Sequence, residues 1–133
     1  KKRLVKSPKI YISDTGLLHA LLDIESHNEL LGHPVYGASW EGFVIENILS
    51  LLPNWTASFY RTSSGSEIDL ILEKGERRIA VECKVSTSPG LNRGFWNALH
   101  HFKNLLIIYP ICSTLIHCCL PCLLQAGRGR SVG

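Results

Sequence analysis

Glu67-Ile68-Asp69-Leu70-Ile71-Leu72-Glu73-Lys74-Gly75-Glu76-Arg77-Arg78-Ile79-Ala80-Val81-Glu82-Cys83-Lys84-Val85 is the stretch on which the fold turns. Residues 67–73 and 77–85 read as strands joined by the short turn Lys74-Gly75-Glu76. With Gly75 at the tip, Asp69 falls opposite Glu82 and Glu67 opposite Lys84. Side chains alternate across a strand. One face is therefore expected to carry Ile68, Leu70, Leu72, Ile79, Val81, Cys83 and Val85, and the other Glu67, Asp69, Glu82 and Lys84. Opposed side chains lie about 4.5–5.5 Å apart at Cβ, where like charges destabilise. The Asp69–Glu82 pair gains a purpose if both carboxylates share a divalent cation, since Mg²⁺ takes oxygen ligands at about 2.0–2.1 Å. The alternative is a solvated hairpin face with a Glu67–Lys84 salt bridge, which leaves the acid pair without benefit. The pattern by itself keeps both open.

A helix over residues 40–52 supplies a third acid. Ser39 is its expected N-cap and Pro53 its stop. With Glu41 at zero on a helical wheel, Val44, Ile45, Ile48 and Leu52 fall within about 60° of it. Glu41 thus stands in the apolar stripe, where an acid is unexpected unless paired or ligated. It also occupies the first turn, where the helix dipole favours a carboxylate, and the two readings are compatible. Glu46 falls on the opposite side with Gly42 and Ser50, a solvent position.

Outside these elements, residues 9–13 alternate as a short strand. Asp14 or Thr15 caps a helix over 16–22, with Leu17, Leu18, Leu21 and Leu22 on its apolar side. A helical turn at 28–31, a strand at 55–60, a helix at 91–103 and strands at 105–109 and 114–120 complete the prediction. Residues 1–8 read as a basic linker ending a preceding module, 9–124 as one domain and 125–133 as a flexible tail. At 133 residues one hydrophobic core is expected, and a 45 % hydrophobic, 19 % charged composition excludes a disordered chain. No Met is present, so the chain is expected to be a fragment.

The net charge of +3 is local: five of fourteen Lys and Arg residues fall in the first nine positions. Such a run binds phosphate backbones or serves as a solvated terminal arm. No apolar stretch approaches the roughly 20 residues that span a bilayer, and a cytoplasmic location is expected. Four of the five cysteines lie between Cys112 and Cys122. Cys119-Leu-Pro-Cys122 has knuckle spacing, but a closed zinc site needs two such pairs, so buried reduced thiols are expected.

Glu41, then Asp69 on a strand, then Glu82-Cys83-Lys84 on the next follow the E…D…ExK order of the PD-(D/E)XK nucleases, which this chain resembles. Three further segments narrow the likeness: Lys6-Ser-Pro-Lys-Ile-Tyr-Ile-Ser-Asp-Thr-Gly-Leu-Leu18, Gly37-Ala-Ser-Trp-Glu-Gly-Phe-Val-Ile-Glu46, and Tyr60-Arg61 with Glu67–Glu73. They resemble the C-terminal domain of unknown function of prokaryotic AAA-type ATPases over about residues 4–122. The resemblance implies a restriction-endonuclease-like α/β core, a central mixed sheet flanked by helices. It also implies phosphodiester hydrolysis of DNA, with Asp69 and Glu82 holding Mg²⁺ or Mn²⁺ and Glu41 a direct or water-mediated ligand. Lys84 would orient or deprotonate the attacking water and offset transition-state charge. The implied partners are DNA and the ATPase and winged-helix modules of a longer protein; the sequence leaves open whether the chain also forms an oligomer. The chain itself has no GxxxxGK[ST] loop. The other reading of the same resemblance is a non-catalytic module that regulates the ATPase.

Overall fold

The hairpin forms in the expected register, with Leu70 opposite Val81 and Lys74 opposite Arg77 in a computed structural model. That model describes Leu4, residues 7–85, Gly90, residues 93–100, Phe102 and the backbone of residues 105–112. The turn is Gly75-Glu76, and Gly75 has φ +59°, the left-handed region that a side chain resists. A Cβ there would meet nothing within 4 Å. Gly75→Ala is therefore expected to cost about 1 kcal/mol through backbone conformation alone. Urea denaturation would check this, and an unchanged midpoint would argue against it.

Among the described residues the elements run α1 (Thr15–Leu21), α2 (His27–Gly32), α3 (Tyr36–Leu51), β1 (Thr56–Arg61), β2 (Glu67–Lys74), β3 (Arg77–Lys84), α4 (Arg93–Leu99) and β4 (Leu105–Cys112). The sheet order is β1-β2-β3-β4. β1, β2 and β3 pair antiparallel, and β4 lies parallel to β3 after the crossover through α4. The class is α/β, a mixed sheet with helices on both faces.

Both faces of the hairpin are buried, which corrects the expectation of one apolar and one polar face. Leu70, Leu72, Ile79 and Val81 pack with Val44, Ile45, Ile48 and Leu52 of the α3 side and with Trp55. On the reverse face Ile68, Ile71 and Ala80 pack under Phe95 and Ala98 of α4. A central sheet covered twice needs apolar residues at successive positions, as in Leu70-Ile71-Leu72 and Ile79-Ala80-Val81. Ile68 lies on the α4 face and Leu70 on the α3 face because the alternation breaks between them. Ser58 pairs with Ile71 and Tyr60 with Ile68, so two β2 residues, Asp69 and Leu70, stand opposite Phe59 alone. This is a β-bulge, which re-aims side chains beside it.

Other expectations move as well. α3 begins at Tyr36 rather than residue 40, and Ser39, the expected N-cap, lies inside it. The Ser39 amide donates to the Val35 carbonyl at 2.8 Å, and its hydroxyl is 2.7 Å from His19 Nε2. That partner frees the serine from capping and lets the helix start a turn earlier. Residues 9–13 form no strand. α1 is capped by Asp14, which accepts from the Leu17 amide at 3.0 Å. Its leucines do not form a buried stripe, since Leu17, Leu21 and Leu22 are exposed. Within the expected helix 91–103, α4 covers Arg93–Leu99. Trp96 is exposed, while the Phe102 ring meets Tyr60 edge-on at 5.2 Å. The expected strand 114–120, Cys118, Cys119, Cys122 and the tail lie outside the described residues, as does most of the basic linker. No described helix is long and apolar enough to cross a membrane.

Candidate acidic site

The segment before α1 brings Lys9 and Tyr11 against the start of α3 and the bulged end of β2. Both side chains meet Glu41: the Lys9 ammonium lies 2.7 Å from Oε1, and the Tyr11 hydroxyl donates to the same oxygen at 2.5 Å. Lys9 Nζ is also 2.7 Å from Glu67 Oε1 and 3.3 Å from Asp69 Oδ1. One ammonium, on a side chain 13 % exposed, is thus held by carboxylates from two elements. Arg61 Nε reaches the other Glu67 oxygen at 3.3 Å from the rim. These residues, with Ile10, line an open groove of about 260 Å³.

The charge states follow from this packing. Burial pulls the Lys9 ammonium toward lower pKa, but its bonds to Glu41 and Glu67 and the field of Asp69 outweigh that and hold it well above the usual lysine range. Burial pushes Glu67 up, and Lys9 with Arg61 overcomes it, leaving the carboxyl below its ordinary value. Asp69 goes the other way. Burial raises it, the neighbouring Glu41 charge adds to the rise, and the bond from the Cys83 amide and Lys9 only partly offset it. Tyr11 is pushed up by burial and by its bond to Glu41.

The four residues expected to converge do not all do so. Glu41 and Asp69 come together, joined by Glu67. Glu82 and Lys84 pair with each other instead, Lys84 Nζ lying 2.6 Å from Glu82 Oε1. The β2–β3 ladder stops at Leu70–Val81, and beyond it the Cys83 amide donates to Asp69 Oδ2 at 2.8 Å. Cys83 packs against the core on the α3 side, so alternation sets Glu82 and Lys84 on the other side of β3. The bulge carries Asp69 to the α3 side, which is why the acid pair expected on one face is divided. The Glu67–Lys84 salt bridge of the solvated-face alternative is absent too, because Glu67 is held by Lys9 and Arg61. Glu82 is 3 % exposed, and its Oε2 has no hydrogen-bond partner among the described residues. Burial raises its carboxyl, Lys84 opposes, and the fields of Asp69 and Glu67 add to the rise. Glu46 is half-buried rather than solvated and lines a second cleft with Ile45, Leu49 and Asp69.

The donor set fits a cation in that an ammonium is already held there by oxygens of Glu41, Glu67 and Asp69. As they stand, no three His, Cys, Asp or Glu side chains among the described residues are grouped to hold a metal ion. Lys9 occupies the space between the carboxylates. Sequence reasoning placed Lys9 in the basic arm and missed it as a site residue. The available signal was the Lys9-x-Tyr11 alternation, which sets an ammonium and a phenol side by side.

The protein-family model described as "Domain of unknown function (DUF4143)" matches residues 36–113, from the start of α3 to just past β4. The chain is 42 % identical over 111 residues to the uncharacterized protein Mb2031c of Mycobacterium bovis and to the uncharacterized protein Rv2008c of Mycobacterium tuberculosis. Each match covers 82 % of this chain and 25 % of the relative, so the chain spans about a quarter of the length of these relatives. No solved structure matches.

Proposed function

Starting from the chain's membership of the DUF4143 family of domains of unknown function, we propose that it is a nuclease-like domain of the PD-(D/E)XK type, hydrolysing DNA phosphodiesters with Mg²⁺ or Mn²⁺. The observation that carries this reading is the cation seat: Glu41 from α3 with Glu67 and Asp69 from β2, closed around one positive charge. The mixed, helix-flanked sheet agrees with a restriction-endonuclease-like core. In this reading Glu41 and Asp69 hold the metal and Glu67 is placed to join them. Glu82 and Lys84, the ExK residues of the resemblance, lie across β3 from this seat, paired with each other, and flank the Cys83 amide that anchors Asp69. When bound, the divalent ion would polarise the phosphate and lower the pKa of an attacking water. Burial raises the Asp69 and Glu82 carboxyls above their ordinary values, and a carboxyl must be deprotonated to serve as a metal ligand. Since the chain matches only a quarter of its relatives, the ATPase and winged-helix parts implied by the resemblance belong to this proposal as well.

The second reading is a non-catalytic regulatory or DNA-binding module of such an ATPase. Its support is the same ammonium, since Lys9 already supplies a cation to all three carboxylates without any metal. Basic residues near the hairpin are also few: Arg61, Lys74, Arg77 and Arg78.

Two measurements separate the readings. Thermal melts with and without millimolar Mg²⁺ or Mn²⁺ report the metal, because binding to the native state alone adds about 2.7 kcal/mol at a hundredfold excess over Kd. Incubation with plasmid, single-stranded and branched DNA reports turnover. The enzyme reading expects a metal-dependent rise in Tm and cleavage of at least one substrate. A melt that divalent metal leaves in place favours the regulatory module.

A further inference from the structure

We infer that Lys9 is a built-in competitor for the divalent cation, an ammonium that must leave the carboxylates before metal enters; this rests on the metal-dependent reading above. Three observations support it. The Lys9 ammonium sits among the oxygens of Glu41, Glu67 and Asp69, the residues placed to receive the metal, and two monovalent or divalent cations cannot share that space. Its side chain is held at only 13 % exposure, so the seat is filled rather than brushed by a mobile surface lysine. The carrying segment, residues 7–13, has no strand pairing, so Lys9 can be withdrawn without breaking a ladder.

Tyr11 sets the resistance to that withdrawal. Its hydroxyl donates to the Glu41 oxygen that also receives Lys9, and its ring packs against the core under α3. The tyrosine keeps the segment docked while the lysine, on a flexible stem, swings. Glu41 then retains one donor and turns its remaining acceptor capacity to the incoming ion. The consequence is a threshold: the apparent Kd for metal is the intrinsic value divided by the fraction of molecules with Lys9 withdrawn.

Mn²⁺ titration by calorimetry on wild type and Lys9→Gln tests this. If the withdrawn state is below a tenth of the population, the variant binds Mn²⁺ at least about tenfold tighter. A second measurement uses the wild type alone: amine-reactive labelling of Lys9, read by peptide mass, with exposed Lys74 as the internal reference. Labelling is expected to be suppressed without metal and to rise at saturating Mn²⁺, with Lys74 unchanged. Equal Mn²⁺ affinity in the two proteins, or Lys9 labelling that saturating metal does not move, overturns the competition and leaves the metal reading standing. No Mn²⁺ binding by either protein overturns the metal reading and this inference with it.

Discussion

Asp69→Asn is expected to remove metal-dependent cleavage, on the order of a hundredfold or more, while leaving the metal-free domain at least as stable as wild type. A change in an outer-shell partner of a metal ligand already costs about 10–100-fold, and a direct ligand counts for no less. The stability half of the expectation follows from the surroundings of Asp69. Burial and the Glu41 charge raise its carboxyl in the folded state above its ordinary value, despite the Cys83 amide and Lys9. An acid so raised holds its proton more tightly folded than unfolded. Its contribution is therefore most favourable at low pH and declines as pH climbs through the unfolded and then the folded pKa. Asn keeps nearly the same shape and carries no charge, so the variant should escape that decline. Relative to wild type it should gain between pH 4 and pH 7. Its amide oxygen can still accept from the Cys83 amide. Melts at both pH values, with and without Mn²⁺, measure both halves. A variant that keeps the full metal-dependent gain would remove Asp69 from the metal set. One that melts well below wild type at pH 7 would show that the Lys9 pairing outweighs burial.

The sequence made the sheet legible and left the site half-read, and a single residue accounts for the difference. The hairpin register follows from Gly75, because a two-residue turn with positive φ admits few registers. The apolar stripe through Val44, Ile45, Ile48 and Leu52 is buried as helical spacing requires. A bulge, by contrast, leaves no mark in a strand whose residues are apolar on both faces. Ile68-Asp69-Leu70-Ile71-Leu72 reads equally well with or without it, yet the extra residue at Asp69 decides which side of the sheet the acid faces. Glu41 was recognised because an acid in an apolar stripe is anomalous, and Asp69 because the hairpin register set it opposite Glu82. Lys9 was not, because a lysine in a basic run looks ordinary, and its three partners are 32, 58 and 60 residues away in the chain, Glu41, Glu67 and Asp69 respectively. The early start of α3 was hidden for a similar reason. Ser39 has the chemistry of an N-cap, and only the distant His19 tells that its hydroxyl is engaged elsewhere.

Lys9→Met is expected to destabilise the metal-free domain by about 2–3 kcal/mol at neutral pH, more than its place in a basic run of the sequence would suggest. Removing one partner of a buried ion pair typically costs about 3–5 kcal/mol, because the charges left behind lose compensation. Here Glu41 and Glu67 are 23 % and 29 % exposed at the side chain, so water takes back part of that loss. Met preserves the length and most of the apolar stem, which isolates the charge. The pH dependence fixes the cause. Lys9 stays protonated far above neutrality in the folded state, so its own contribution is complete below the unfolded lysine pKa of about 10.4 and does not vary at acid pH. The acid-side window belongs to Glu67, held down chiefly by Lys9 against the pull of burial. That stabilisation is present above the unfolded glutamate pKa of about 4.3 and is lost as pH falls through the lower folded value. The gap between wild type and Lys9→Met should therefore narrow below about pH 4, as Glu67 loses its charge. Adding Glu67→Gln to Lys9→Met should restore part of the loss at pH 7, with a coupling of about 1–2 kcal/mol in the double-mutant cycle. Urea denaturation of the four proteins at pH 3.5 and pH 7 gives every term. A cost that does not change with pH, or that Glu67→Gln leaves untouched, would mean that Lys9 stabilises the segment through its methylene stem and not as the cation of the cluster.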